Sequence, residues 1–255
     1  MKIILIILVT IVLFSCKESN DARKPVKQVT VEQNWTDMQK KLSKYDTFKL
    51  TSDLSILTEN ERKMLPILIK AASLMNKLFW YEAYGDKNQL LDSISNEDTK
   101  KFVEINYGPW DRLDGNKPFV DGVGSKPPGA NFYPTDMTKL EFEAFTDESK
   151  LSLYTFIRRN KEGKLYTIPY HVQFKNEVSE VANLLLEASK LADDEGLKNY
   201  LELRAQAFFD DKYQASDLAW MDMKTNTLDI VIGPIEAYED QLFGIKAAHE
   251  AYVLI

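Results

Sequence analysis

Glu236, Tyr238 and Asp240 stand two residues apart in Ile235-Glu236-Ala237-Tyr238-Glu239-Asp240. In an extended segment residues i, i+2 and i+4 share a face, which sets a carboxylate beside a phenol. Such a pair suits a protonated amine, which can donate to the carboxylate and to the phenol oxygen together. The same spacing also describes an ordinary solvated strand face, and spacing by itself favours that reading. Other residues able to do chemistry are few, with two histidines and one cysteine in 255 residues. His249-Glu250 opens like the His-Glu-x-x-His motif, but Val253 and Leu254 stand where the second imidazole is needed. His249 therefore reads as an incidental strand histidine. His171, with no acidic or histidine neighbour at ligand spacing, reads as a surface residue. No complete transition-metal site is expected from these residues. A serine nucleophile turn, a glycine-rich phosphate loop and a dinucleotide fingerprint are also missing.

The one cysteine has its own explanation. Lys2 precedes an apolar or neutral run from Ile3 to Phe14, which ends in Leu13-Phe14-Ser15-Cys16, the pattern of a bacterial lipobox. A run of this length fits a secretory h-region of roughly 7–15 residues and falls short of the roughly 20 that span a bilayer. Lys17-Glu18-Ser19-Asn20-Asp21 is polar. The expectation is a signal peptide over 1–15, lipid on the Cys16 thiol, a tether over 16–33, and a folded domain over 34–255. That is an exported, membrane-anchored bacterial lipoprotein, periplasmic or at the cell surface. Two or more acyl chains suffice for anchoring, since each buried methylene contributes about 0.8 kcal/mol. With Cys16 the only cysteine, the folded part has no internal disulfide or cysteine metal cluster and must rely on its core. A net charge of −7 without a dominant basic patch argues against nucleic acid as a partner.

The elements that must position Glu236 and Tyr238 are legible in part. Thr58-Glu59-Asn60-Glu61 is a capping box, and Met64, Leu68, Ala71, Met75 and Leu78 follow at helical spacing. Pro66 should kink or restart that helix. Ser95-Asn96-Glu97-Asp98 starts another. From Tyr107 to Pro134 glycines and prolines break any regular element, while Trp110, Phe119, Phe132 and Tyr133 imply an ordered, packed loop. Thr138 and Glu141 cap a short helix into Phe145. Asn160-Lys161-Glu162-Gly163 turns a hairpin. Val178, Val181, Ala182, Leu185 and Ala188 line one helix; Leu197, Tyr200, Leu201, Ala205 and Phe208 line the next. Leu228 to Ile232 reads as a strand that turns at Gly233-Pro234 and continues to Tyr238, with Gly244 to Ile255 as its partner. The fold class is α+β, predominantly helical with a small antiparallel β-sheet. Ala251-Tyr252-Val253-Leu254-Ile255 is apolar where termini are usually polar, and reads as a chain cut in mid-sheet.

Several strings resemble the bacterial branch of the dipeptidyl peptidase III family, the M49 zinc exopeptidases. They are Tyr107-Gly108-Pro109-Trp110-Asp111-Arg112-Leu113, Gly129-Ala130-Asn131-Phe132-Tyr133-Pro134, Asp136-Met137-Thr138, Ser216-Asp217, Trp220-Met221-Asp222 and Gly233 to Asp240. The resemblance runs from about Ile56 to the last residue. It implies a two-lobed metallopeptidase fold around a cleft, with a helical lobe carrying zinc and a lobe containing a small β-barrel. It implies removal of dipeptides from the N-termini of short peptides. The family's Ile-Glu-x-Tyr string binds the free N-terminus of the substrate, which carries over to Glu236 and Tyr238 and reverses the preference that spacing alone gives. Asp240 inherits no role. The family's zinc ligands and general base come from a His-Glu-x-x-Gly-His string and a later Glu-Glu pair. Neither occurs here, both lie in the family beyond the point where this chain ends, and His249 stands where an aromatic is expected. Zinc is therefore expected for the complete family enzyme and none is bound by this chain. Without it no water is activated, and no catalytic residue is assigned. The partners implied are short peptides with a free N-terminus, and a membrane through the lipid. The favoured reading is the substrate-anchoring N-terminal part of a lipid-anchored zinc dipeptidyl peptidase. The alternatives are a non-catalytic peptide-binding envelope lipoprotein and a purely structural one.

Overall fold

The computed structural model describes residues 35–255, so the expected signal peptide, Cys16 and the expected tether lie outside the described residues. Its first half runs α1 (Asp37–Leu42), α2 (Glu59–Ala83), α3 (Lys87–Asp92), α4 (Glu97–Asn106), β1 (Trp110–Asp111), β2 (Lys117–Pro118) and α5 (Lys139–Ala144). It continues with β3 (Thr155–Arg159), β4 (Leu165–Pro169), α6 (Tyr170–Gln173), α7 (Lys175–Ser189), α8 (Glu195–Asp210), α9 (Gln214–Asp222), β5 (Asp229–Glu236) and β6 (Ala248–Leu254). The α+β class, predominantly helical, is as expected. The strands form three separate two-stranded antiparallel pairs, β1-β2, β3-β4 and β5-β6, rather than one small sheet.

Helix α2 is the central element. Its start is the expected capping box: Thr58 Oγ1 accepts from the Glu61 amide (3.1 Å) and Glu61 Oε2 from the Thr58 amide (2.8 Å), filling two of the orphan donors of a helix start. Met64, Leu68, Ala71, Met75 and Leu78 are all buried, as are the predicted stripes of α7 and α8. Pro66 does not restart the helix, which carries through to Ala83. Pro66 is exposed while Met64 and Leu68 on either side are in the core, so packing holds the helix across one missing N–H. Pro66→Ala restores that bond and should stabilise the chain by about 1–3 kcal/mol, seen as a higher urea midpoint at unchanged slope.

The segment from 107 to 134 is packed, as its aromatics implied. Tyr107 ends α4 in the left-handed region (φ 52°), and Gly108 follows at φ 151°, where an added Cβ would come within 3.2 Å of the Trp110 ring. Trp110 Nε1 donates to the Gly124 carbonyl (2.8 Å), and Asp111, buried, accepts from Lys41 (2.7 Å). Further on, the Asn131 amide donates to the Glu82 carbonyl (2.9 Å), tying the loop to α2.

The C-terminal strands differ from expectation. β5 runs straight through Gly233-Pro234, with a bulge between Pro234 and Glu236 in place of a turn. β6 begins only at Ala248, because residues 241–247 wrap around Asp240. That carboxylate accepts from the amides of Leu242 and Phe243 (both 3.1 Å), Ile245 (2.9 Å) and Lys246 (3.0 Å), and from Tyr133 Oη (2.7 Å). Amides spent on Asp240 cannot enter a ladder. Asp240 is thus buried and does not share a strand face with Glu236 and Tyr238.

Lys246 is also buried, its ammonium donating to the Lys150 and Ser152 carbonyls (2.8 and 2.7 Å) and Thr155 Oγ1 (2.9 Å). Burial pulls its pKa down to about 8, against the attraction of Asp240 and Asp147. Between that value and the ordinary 10.5 the unfolded chain holds the proton and the folded chain does not, so stability rises with pH in this window. Buried Tyr133, Tyr170 and Tyr213, whose pKa values burial raises, act oppositely once unfolded tyrosines ionise near 10. Lys246→Met should therefore flatten the rise in unfolding free energy between about pH 8 and 10.

Candidate functional site

Directly opposed residues of an antiparallel pair share a face. On β5-β6 the opposed pairs are Val231 with Tyr252, Gly233 with Glu250, and, beyond the bulge, Glu236 with Ala248. The bulge is what turns Glu236 onto this face; regular alternation from Val231 would have placed Ile235 there. Glu236, Glu250 and Tyr252 consequently lie on one side of the strand pair. Tyr238, just past β5 and about half exposed, reaches back to donate its hydroxyl to Glu250 Oε1. Tyr252 donates to the other Glu250 oxygen. Burial and the Glu250 bond push the Tyr238 phenol well above its ordinary range. The Glu250 bond is also the main cause holding Tyr252 up at about 12, and the Glu236 charge adds to it. Both phenols stay protonated at neutral pH and act as donors or neutral acceptors.

Tyr238, Glu250 and Tyr252 border a cavity of about 370 Å³ whose lining also includes Met75, Phe79, Ile105, Tyr107 and Arg112. Helix α2 supplies Met75 and Phe79, and the end of α4 supplies Ile105. The Tyr107-to-Leu113 string contributes Tyr107, whose ring meets Phe79 edge-on at 4.7 Å, and Arg112. Tyr238, one of the two residues to which the family resemblance gives a role, lines this cavity. Glu236 borders the same strand face rather than the cavity lining. Reasoning from sequence missed Glu250 and Tyr252, although the signal was there: Glu250-Ala251-Tyr252 repeats the spacing of Glu236-Ala237-Tyr238 on the partner strand.

His249 is on a strand, β6, as sequence placed it, but both histidines are more enclosed than expected. His171 is half-buried, and its Nδ1 lies 2.8 Å from Asp211 Oδ2, a partner 40 residues away. His249 is wholly buried, not incidental. Its Nδ1 lies 2.6 Å from Glu82 Oε1, and its backbone N–H donates to Glu82 Oε2 (2.8 Å). Burial pushes the Glu82 carboxyl up and His249 pulls it back down. His249 Nε2 has no hydrogen-bond partner and is walled in by the rings of Tyr170, Phe174 and Phe208.

Zinc does not fit this donor set. Among the described residues no three His, Cys, Asp or Glu side chains come together to hold a metal ion. His171 and His249 each have a single carboxylate partner, and the His249 side chain has no exposed surface.

No family model matches the chain. Solved structures do. Dipeptidyl peptidase III from Caldithrix abyssi superposes with a TM-score of 0.79 at 40% identity, taking in 84% of this chain and 43% of that one. The enzyme of the same name from Corallococcus sp. strain EGB gives 0.78 at 33% identity, over 85% and 42%. The resemblance to the dipeptidyl peptidase III family therefore holds in sequence and in fold. Among curated proteins, Nudix hydrolase 3 of Arabidopsis thaliana is 31% identical over 288 aligned positions, which take in 89% of this chain and 37% of that protein. Most of the plant protein lies outside the match, so its name does not attach the named activity to the shared part. The chain spans less than half the length of each of these relatives.

Proposed function

We propose that this chain is the substrate-anchoring part of a lipid-anchored, zinc-dependent exopeptidase of the dipeptidyl peptidase III kind, which releases dipeptides from peptide N-termini. The observation that carries the reading is the gathering of Tyr238, Glu236 and Glu250 on one face beside a cavity. An exopeptidase must measure from the chain end. Carboxylates with a neutral phenol at a cavity mouth do so by taking the terminal ammonium in charge-assisted hydrogen bonds. Zinc, when bound to the complete enzyme, supplies Lewis acidity and an activated water; its ligands are residues other than the described ones. Lipid on Cys16 holds the protein at a membrane. A non-catalytic peptide-binding envelope lipoprotein would use the same anchor without the metal.

The test is binding of a short fluorescent peptide to the 255-residue chain, followed by anisotropy, with its N-terminus free or acetylated. Affinity should be lost on acetylation, and equal affinities would remove the reading. Dipeptide release by this chain alone, with zinc added, would overturn the placement of catalysis in other residues. For the anchor, Cys16→Ala should abolish palmitate labelling and move the protein from the membrane to the soluble fraction.

A further inference from the structure

The cavity beside Tyr238 is lined by charges of both signs, and an amine uses only one of them. Arg112 is held from two sides: its Nε donates to the Asn106 carbonyl (2.7 Å), and its Nη1 to Glu239, itself buried. The guanidinium carbon lies 5.7 Å from the centre of the Phe79 ring and 6.0 Å from that of Tyr107. Its Nη2 has no hydrogen-bond partner among the described residues. A guanidinium fixed in this way loses little freedom on binding, and its planar fork matches a carboxylate. Glu250, on the same lining, carries the opposite charge. At about 370 Å³ the cavity is at the small end of ligand pockets, roughly 300–1,000 Å³, which favours one or two residues over a long peptide.

We propose that this cavity retains a free dipeptide as a zwitterion, its ammonium on Glu250 and Tyr238 and its carboxylate on Arg112. The proposal rests on the amine-anchoring reading above and adds the class of ligand. A dipeptide carries its carboxylate on the residue next to its ammonium, one peptide bond away, and an uncleaved longer peptide does not. A complete enzyme built on this chain would accordingly be inhibited by its own product.

Calorimetric titration of the chain with alanyl-leucine, its C-terminal amide and its N-acetyl derivative tests this. The amide and the N-acetyl derivative should each bind at least about 10-fold more weakly than the free dipeptide, the usual scale for losing one charge-assisted hydrogen-bonded contact. Arg112→Gln should erase the difference between acid and amide. Because that variant leaves Glu239 with Lys126 as its remaining cation (2.7 Å) and could unfold, the comparison on the unaltered chain decides alone. Equal affinities for acid and amide, or no binding of the acid at millimolar concentration, overturn the proposal. If amide and acid are equal but acetylation still abolishes binding, Arg112 loses its role and the amine anchor stands. If acetylation changes nothing, the anchor itself fails.

Discussion

His249→Phe, made with Glu82 left in place, should lower the unfolding free energy of the chain by about 3–5 kcal/mol, and adding Glu82→Leu should recover most of it. Both side chains have no exposed surface, and each of the Glu82 oxygens is satisfied by His249, one by the ring and one by the backbone N–H. Removing the imidazole leaves a buried carboxylate without its ring partner, the situation that costs most. Removing both groups in favour of apolar side chains is often neutral or stabilising. The rings of Tyr170, Phe174 and Phe208 around His249 already form a site for a phenylalanine. The pH dependence gives an independent check. Burial already raises the folded-state pKa of Glu82 above its ordinary 4.5, and His249 is the group that lowers it; without the imidazole it rises further. A raised carboxyl pKa destabilises the fold above that pKa and not below the unfolded value. The deficit of His249→Phe should therefore be largest near pH 7 and shrink as pH falls toward about 4.5. A deficit independent of pH, or one that Glu82→Leu deepens, would show that the pair acts through packing and not through charge.

This pair also shows where sequence reasoning stops. Local physics was legible: the Thr58–Glu61 cap, the Met64-to-Leu78 stripe, the Asn160–Gly163 turn and the two amphipathic helices depend on residues within a few positions of each other. Glu82 and His249 are 167 positions apart, and nothing at either position signals the other. Asp240 was misplaced for a related reason. Alternation predicts a strand face only while the chain stays extended, and the four amides that Asp240 collects belong to a loop whose course depends on Tyr133. Glu236 reaches the site face only through the bulge at Pro234, which spacing cannot show. The family resemblance supplied what spacing could not, since it attached Glu236 and Tyr238 to a role before any face was known. It gave no role to Arg112, although that residue stands in one of the resembling strings; its guanidinium is set by Asn106, Phe79, Tyr107 and Glu239 together.

Glu236→Ala should weaken binding of a peptide with a free N-terminus by about 1.5–3 kcal/mol, the range for losing a hydrogen bond to a charged group, and the same loss is expected of Glu250→Ala. Tyr238→Phe should cost less, about 1 kcal/mol, because its phenol is neutral and half exposed and removing it leaves both carboxylates. Glu236 is only partly buried, so water screens part of its charge and favours the low end of the range for that residue. Glu250 is the stronger candidate on geometry, since it borders the cavity and two phenols orient its oxygens. Measuring each variant against both the free and the acetylated peptide turns these losses into a thermodynamic cycle. A carboxylate that holds the ammonium leaves acetylation with little further to remove, whereas one acting through the fold loses affinity for both peptides equally. If Glu236→Ala binds both peptides as the unaltered chain does, the terminal amine belongs to Glu250 and Tyr238, and Glu236 is a solvated strand residue as its spacing alone suggests. If Glu250→Ala is the silent one, Glu250 does not hold the ammonium, and its two hydrogen bonds serve only to position the Tyr238 and Tyr252 phenols.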